Sequence, residues 1–281
     1  MLSILFGLSA AFGWGAGDFT GGLASRKTGA YRAVVYGEAI GVVFLFFIVG
    51  ISGESVPSLK VWLISAFAGA LGTLGLILLY QAMTNGLMSV AAPVSALLAA
   101  ILPVVVNVFR EGTPKTLTVF GFGFALFAIW MISQSNGSVT DILAHLSDLK
   151  LPLLAGIGFG SYFILMHEAT SMGATVWPMV ASRTSGMMLV GVYMLITHVS
   201  WKVEDVSAWP MLTLNGILDV SGNIFFILAG QVGRLDVTAV LSSLFPGATV
   251  VLAWIFLKER LSRQQWIGIV SALIAIVLMT V

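Results

Sequence analysis

The chain has no cysteine, and it carries few charges of either sign: 13 Lys and Arg against 12 Asp and Glu in 281 residues. Without cysteine there is no disulfide framework and no thiolate metal site. Charged residues make up 9%, against roughly 25% in soluble proteins, too few to cover a water-soluble globule. A net charge of +1 argues against nucleic acid as a partner. There is no Walker-type phosphate loop and no HExxH, and the three histidines (His145, His167, His198) are scattered. Carboxylates do not cluster at one interface as a membrane transferase would need. The expectation is therefore a protein that is not an enzyme and has no cofactor or metal. The N-terminus lacks the basic region of a signal peptide, and its apolar run is too long for one, so it reads as an uncleaved helix.

What is present is apolar: 58% hydrophobic residues and a mean hydropathy of +1.03. The runs predict ten helices at about 2–24, 30–51, 61–84, 87–108, 116–134, 151–170, 174–199, 209–231, 236–257 and 263–281. At about 20 residues each, they would use about 200 residues and leave only short loops. Lys27-Thr28-Gly29, Asn85-Gly86 and Ser171-Met172-Gly173 have turn chemistry. The longest polar stretch, 135–150, holds Asp141, His145, Asp148 and Lys150; it divides the chain into five helices (1–134) and five more (151–281).

The two halves repeat. A shift of 148 residues places Glu111 on Glu259 and Leu87 on Leu235; a shift of 145 places Gly15 on Gly160, Trp14 on Phe159 and Glu38 on Arg183. Five is odd, so the two units enter the bilayer in opposite directions, the arrangement of carriers that rock around a site between their halves. The expected fold is an all-α polytopic membrane protein of two inverted five-helix repeats. Glycines such as Gly13, Gly17 and Gly75 permit close helix packing. Pro93, Pro103, Pro178 and Pro246 each remove a backbone donor inside a span.

Ala239 to Val277, with Phe245-Pro246, Phe256-Leu257-Lys258-Glu259-Arg260-Leu261 and Gln265-Trp266-Ile267-Gly268, resembles the end of an EamA-type repeat of the drug/metabolite transporter superfamily. Pro103, Arg110-Glu111 and Gly121 echo it in the first half. The resemblance covers essentially the whole chain. It implies ten helices, a central cavity lined by helices one to four and six to nine, and transport of small metabolites without ATP. The sequence departs from the family pattern at Glu38, where a basic residue is usual; Arg183 keeps that pattern.

A charge at the bilayer centre costs on the order of 3 kcal/mol on insertion scales, so ionisable residues at depth mark the candidate site. They are Asp18, Glu38, Arg183 and Asp219. Glu38 and Arg183 occupy matching repeat positions and can meet near the midplane, either as a structural ion pair or as a cavity pair that rearranges. Trp14 and Asp18 share one helix face. A carboxyl in an apolar site holds its proton more readily than in water, so Asp18 is a candidate proton acceptor; the alternative is pairing with Arg26 or Lys27. Asp219 and Asn223 form a polar face in the eighth helix. Tyr80, Gln81, Trp177 and Phe226 are candidate wall residues. His167 and Glu168 lie near a helix end, and Arg110-Glu111 and Lys258-Glu259-Arg260 read as helix-end markers at the headgroups.

The expected function is secondary transport of a small polar or amphipathic metabolite by alternating access in the cytoplasmic membrane, with protons as a candidate coupling ion. Three acidic residues against one arginine favour an amino acid or amine over a multiply charged anion. A passive channel or a membrane scaffold is the alternative, and a homodimer is compatible with the chain. Ten spans put both termini on one side. Eight Lys and Arg on the opposite side against four on theirs place the termini outside the cytoplasm, whereas the family resemblance places them inside.

Overall fold

The computed structural model describes residues 1–82, 88–133, 150–258 and 261–280. The connector residues Asp141, His145 and Asp148 lie outside the described residues, as do Leu87, Glu259, Arg260 and the Asn85-Gly86 turn. The side chains of Tyr80 and Gln81 also lie outside them.

Among the described residues the secondary structure is helical throughout, with no strand. The helices are α1 (Leu2–Thr28), α2 (Ala30–Ser52), α3 (Leu59–Ala82), α4 (Met88–Glu111), α5 (Thr116–Ser133), α6 (Lys150–Ser171), α7 (Val176–Ile196), α8 (Trp209–Val232), α9 (Leu235–Ser242), α10 (Phe245–Leu257) and α11 (Arg263–Thr280). Among the described residues nine segments are long and apolar enough to cross a membrane, counting α9 and α10 together, and Thr116–Ile132 is a shorter apolar helix. A bilayer leaves backbone polar groups no water to bond, so helices satisfy them internally. Gly29, Gly53 and Gly173 close turns with positive φ, a conformation that glycine adopts without steric cost.

The ninth span differs from the single helix expected at 236–257. It breaks at Ser243-Leu244, between α9 and α10. Pro246 has no N–H to offer the carbonyl one turn earlier. The chain tightens instead, with Leu244 N–H donating to Leu241 O at 3.2 Å and Gly247 N–H to Leu244 O at 2.9 Å. Pro103, by contrast, sits inside an unbroken α4.

Packing between the halves follows the repeat. α1 packs on α8, and α6, its counterpart, packs on α3; α2 packs on α7 and α5 on α11. In the α1–α8 interface a Cβ on Gly13 would lie 2.8 Å from the Gly222 nitrogen; in the α6–α3 interface one on Gly158 would lie 2.7 Å from Leu71 O and 3.1 Å from the Gly75 Cα. Gly13 and Gly158 are 145 residues apart, the spacing of the repeat. Below, the terminal face is the end bearing residues 1 and 280, and the connector face is the end where α5 finishes and α6 begins. Gly158→Val should cost about 1–3 kcal/mol through overpacking, a drop of roughly 3–10 °C in the melting temperature of the purified protein. Gly22→Ala, where an added Cβ meets nothing within 4 Å, should leave it unchanged.

Candidate functional site

The charges at membrane depth converge. Arg183 on α7 donates from Nη1 to Glu38 Oε2 on α2 at 2.9 Å, and its Nη2 is ion-paired with Asp219 Oδ2 on α8. One guanidinium thus holds two carboxylates and ties three helices from both halves. The arginine side chain is 10% exposed and the aspartate 32%, so the group is largely desolvated but open on the aspartate side. Gly41 lets α2 approach: a Cβ there would stand 2.9 Å from Val220 and 3.5 Å from Arg183.

A hydrogen-bonded strip adjoins the ion group. Asn223 Nδ2 donates to the Asp219 carbonyl at 2.8 Å, and the Tyr162 hydroxyl of α6 donates to Asn223 Oδ1. Tyr162 is within electrostatic reach of both Arg183 and Glu38, and its ring rests 3.3 Å from where a Gly72 Cβ would be. The terminal side of this strip is aromatic. Trp14 stacks on Phe163 at 5.4 Å and meets Phe226 at 5.5 Å and Phe245 edge-on at 6.5 Å.

Asp18 adjoins the ion group through its neighbour Gly17. It is exposed although it lies ten residues, about 15 Å, from the connector end of α1. Its neighbour Gly17 packs on Asp219, with 3.4 Å from the would-be Cβ to the aspartate Cβ. Gly22, one turn closer to the connector face, is exposed too and has open space around it. The face of α1 that carries Asp18 therefore opens toward the connector face. Toward the terminal face the same helix is buried at Ala10, Trp14 and Gly15.

The structure thus brings Glu38, Arg183, Asp219 and Asn223 together, sets Asp18 beside them, and puts Trp14 and Phe226 in the aromatic floor. Trp177 is elsewhere. Its N–H donates to Glu54 Oε1 and its indole Nε1 to Glu54 O, both at 3.0 Å, and its ring meets Trp62 at 5.7 Å and Phe46 at 6.2 Å. Glu54 also accepts from the Thr175 and Val176 N–H groups at 3.0 Å, the placement a helix N-terminus favours for an anion. His167 packs on Gly230, and Glu168 pairs with Arg110 at 2.9 Å. Outside the spans, Asp205 is held below the usual carboxylate range by hydrogen bonds from Ser207, with Lys27 adding to the effect. An apolar groove of about 450 Å³, lined by Leu5, Leu8, Phe12, Leu218 and Phe225 among others, runs between α1 and α8 and includes none of these charges.

Sequence reasoning missed Tyr162 and Glu54. A lone tyrosine in an apolar span needs a partner for its hydroxyl, a usable signal for the first. Glu54 sits in a loop and carried no such signal.

The EamA-like transporter family matches this chain twice, at residues 1–134 and 148–281. The chain belongs to the EamA-like transporter family. Among its relatives, the "Putative sugar uptake protein" of Streptococcus pyogenes serotype M6 is 24% identical, covering 99% of this chain and 96% of that protein. An uncharacterized protein of Methanocaldococcus jannaschii is 33% identical over 33% of this chain and 71% of its own length. One solved crystal structure superposes with a TM-score of 0.80 at 16% identity, covering 99% of this chain and 96% of that chain. Family and fold point to a multi-pass membrane transporter rather than an enzyme.

Breaking a desolvated pair costs about 3–5 kcal/mol when one partner is left unmatched. For this EamA-like protein, Arg183→Met strands two carboxylates and should lower the melting temperature the most. Glu38→Gln leaves Asp219 on the guanidinium and should cost well under half as much. Thermal unfolding in detergent reads both.

Proposed function

We propose that this chain is a secondary carrier that moves a small polar or amphipathic metabolite, amino acid or amine-like, through the cavity between its repeats by alternating access. The observation that carries the reading is the Glu38–Arg183–Asp219 group at mid-depth, with Asp18 open beside it. Charges at such depth are rarely kept without a pathway to serve, and these sit where the two repeats meet. One guanidinium against three carboxylates leaves an excess of negative charge, which suits a cationic or zwitterionic solute and repels a multiply charged anion. Asp18, which has no basic partner among the described residues, is the anchor for the amine in this reading; with Glu38 it is also the candidate proton carrier.

A second reading is a sugar as the solute. It is favoured by the Streptococcus pyogenes relative, which aligns along nearly the whole chain and carries a sugar-uptake name. Tyr162 and Asn223 supply the neutral hydrogen-bonding groups that a polyol would use.

Thermal shift separates the two. A ligand at about 100 times its Kd stabilises by about 2.7 kcal/mol, roughly 5–10 °C for a chain of this size. An amine or amino acid should produce that shift in the wild type and lose it in Asp18→Asn. A sugar should keep it in Asp18→Asn and lose it in Asn223→Ala. In reconstituted vesicles the identified ligand should show trans-stimulated exchange, and a channel or scaffold should not. Uptake and pH dependence that survive both Asp18→Asn and Glu38→Gln would remove the acidic site from the account.

A further inference from the structure

Arg110 and Glu111 end α4, and they do more than mark a helix end. Arg110 reaches across to Glu168 of α6 at 2.9 Å. Glu111 faces Arg234, which begins α9, at 3.8 Å. Arg234 is itself fixed by Asp236 at 2.9 Å, a fully buried carboxylate, and donates to Gly112 O at 2.8 Å; the hydrogen bonds to Asp236 hold its guanidinium above its ordinary pKa. Both cross-half pairs lie on the terminal face. They join the end of the fourth helix in the first half to α6 and to the α8–α9 turn in the second. Beneath them α9 is buried at Leu235, Asp236 and Thr238 through Ser242, and beneath α9 lies the aromatic floor.

The repeat predicts an equivalent on the connector face, and the sequence does not supply one. The counterparts of Arg110 and Glu111 are Lys258 and Glu259, so charges are kept on that strand of the repeat. The counterpart of Glu168 is Leu23, and that of Arg234 is Gly86. Both partners are missing. Other ties do occur on both faces and involve the ends of the same helix pair. Glu54, just past α2, holds the start of α7 on the terminal face. Tyr36 of α2 donates to Trp201 O, just past α7, at 2.7 Å on the connector face, with Lys27–Asp205 nearby at 3.5 Å. Ties matched on both faces favour neither state. The α4 pairs have no charged partner at the equivalent positions, Leu23 and Gly86.

We propose that Arg110–Glu168 and Arg234–Glu111 form a charge latch, built on the terminal face only, that biases the carrier toward the connector-open state and breaks when the terminal face opens. The inference rests on the carrier reading above. It adds that the two halves, though duplicated in fold, are unequal in what holds each face shut. α10 begins just past the Ser243-Leu244 break and buries no residue, whereas α9 before the break is buried beneath the latch; the latch therefore acts on the half-helix that seals the terminal face.

The absence of native cysteine gives the test a clean background. A reporter thiol is introduced by Ala239→Cys, a fully buried site under the latch in the same core cluster as Trp14 and Phe163. A second is introduced by Gly22→Cys, in the open approach to Asp18. Each is labelled with a maleimide in detergent, so membrane orientation does not enter. Glu168→Arg should raise the labelling rate of the Ala239→Cys reporter by up to about five-fold, the equilibrium factor of an exposed ion pair at the top of its range. Adding Arg110→Glu, which restores the pair with its charges exchanged, should return the rate to the starting value. It should also show that the single variant was folded. A rate that ignores Glu168→Arg, or that stays high in the exchanged pair, overturns the latch. If the carrier reading holds as well, labelling of the Gly22→Cys reporter falls as that of Ala239→Cys rises. A rise at Ala239→Cys without that fall supports the latch and counts against alternating access.

Discussion

The architecture turns on one guanidinium that has to be neutralised where water is scarce. Arg183 meets Glu38, its counterpart in the other repeat, and Asp219 on the neighbouring α8. An unpaired charge at that depth would not be tolerated. The helices that carry the three groups are therefore held in a fixed register, α2 against α7 and both against α8. The glycines at Gly13, Gly41 and Gly158 serve the same end by bringing backbones close enough for short side chains to meet. Burial of apolar area cannot hold this assembly together, because lipid is as apolar as the core; close packing and polar bonds between helices must do it.

Duplication supplies a frame that is nearly symmetric, and the chemistry is laid over it unevenly. The α1–α8 interface carries Asp18 and Asp219. The equivalent α6–α3 interface carries Tyr162 against Gly72 and Phe159 against Gly75 instead. The centre therefore has an acidic wall on one side and an aromatic, hydroxyl-bearing wall on the other. A solute with a polar or cationic end and a less polar body would fit such a division. The same unevenness appears at the ends, where the α4 charges find partners on the terminal face, whereas Leu23 and Gly86, the positions equivalent to Glu168 and Arg234, carry no charge.

Much of this was legible in the sequence. Hydropathy located the spans, because a bilayer-crossing helix must be long and apolar over its whole length. The repeat aligned Glu38 with Arg183, and internal symmetry then brought them together. Asp219 and Asn223 stood out as polar residues one turn apart in an apolar segment. What the residue pattern could not reveal depended on three-dimensional neighbours. Asp219 joins Arg183 because α8 crosses beside α7, which no spacing encodes. Trp177 looked like a wall residue by type, yet Glu54 and Trp62 hold it at the terminal end of α7. Pro246 announced a missing donor inside the span, and the full break at Ser243-Leu244 followed from how the freed carbonyls were reassigned.

The central claim is that two inverted halves rock about the charged centre and expose it to one face at a time. Pulsed electron resonance on spin-labelled pairs tests this most directly, with Thr113 and Met172 labelled on the terminal face and Arg26 and Lys258 on the connector face, all exposed positions. The ligand is the compound that stabilises the wild type. Saturating ligand should move the two distance distributions in opposite senses, one face closing as the other opens. Distributions that both stay fixed, or that widen and narrow together, would contradict the account.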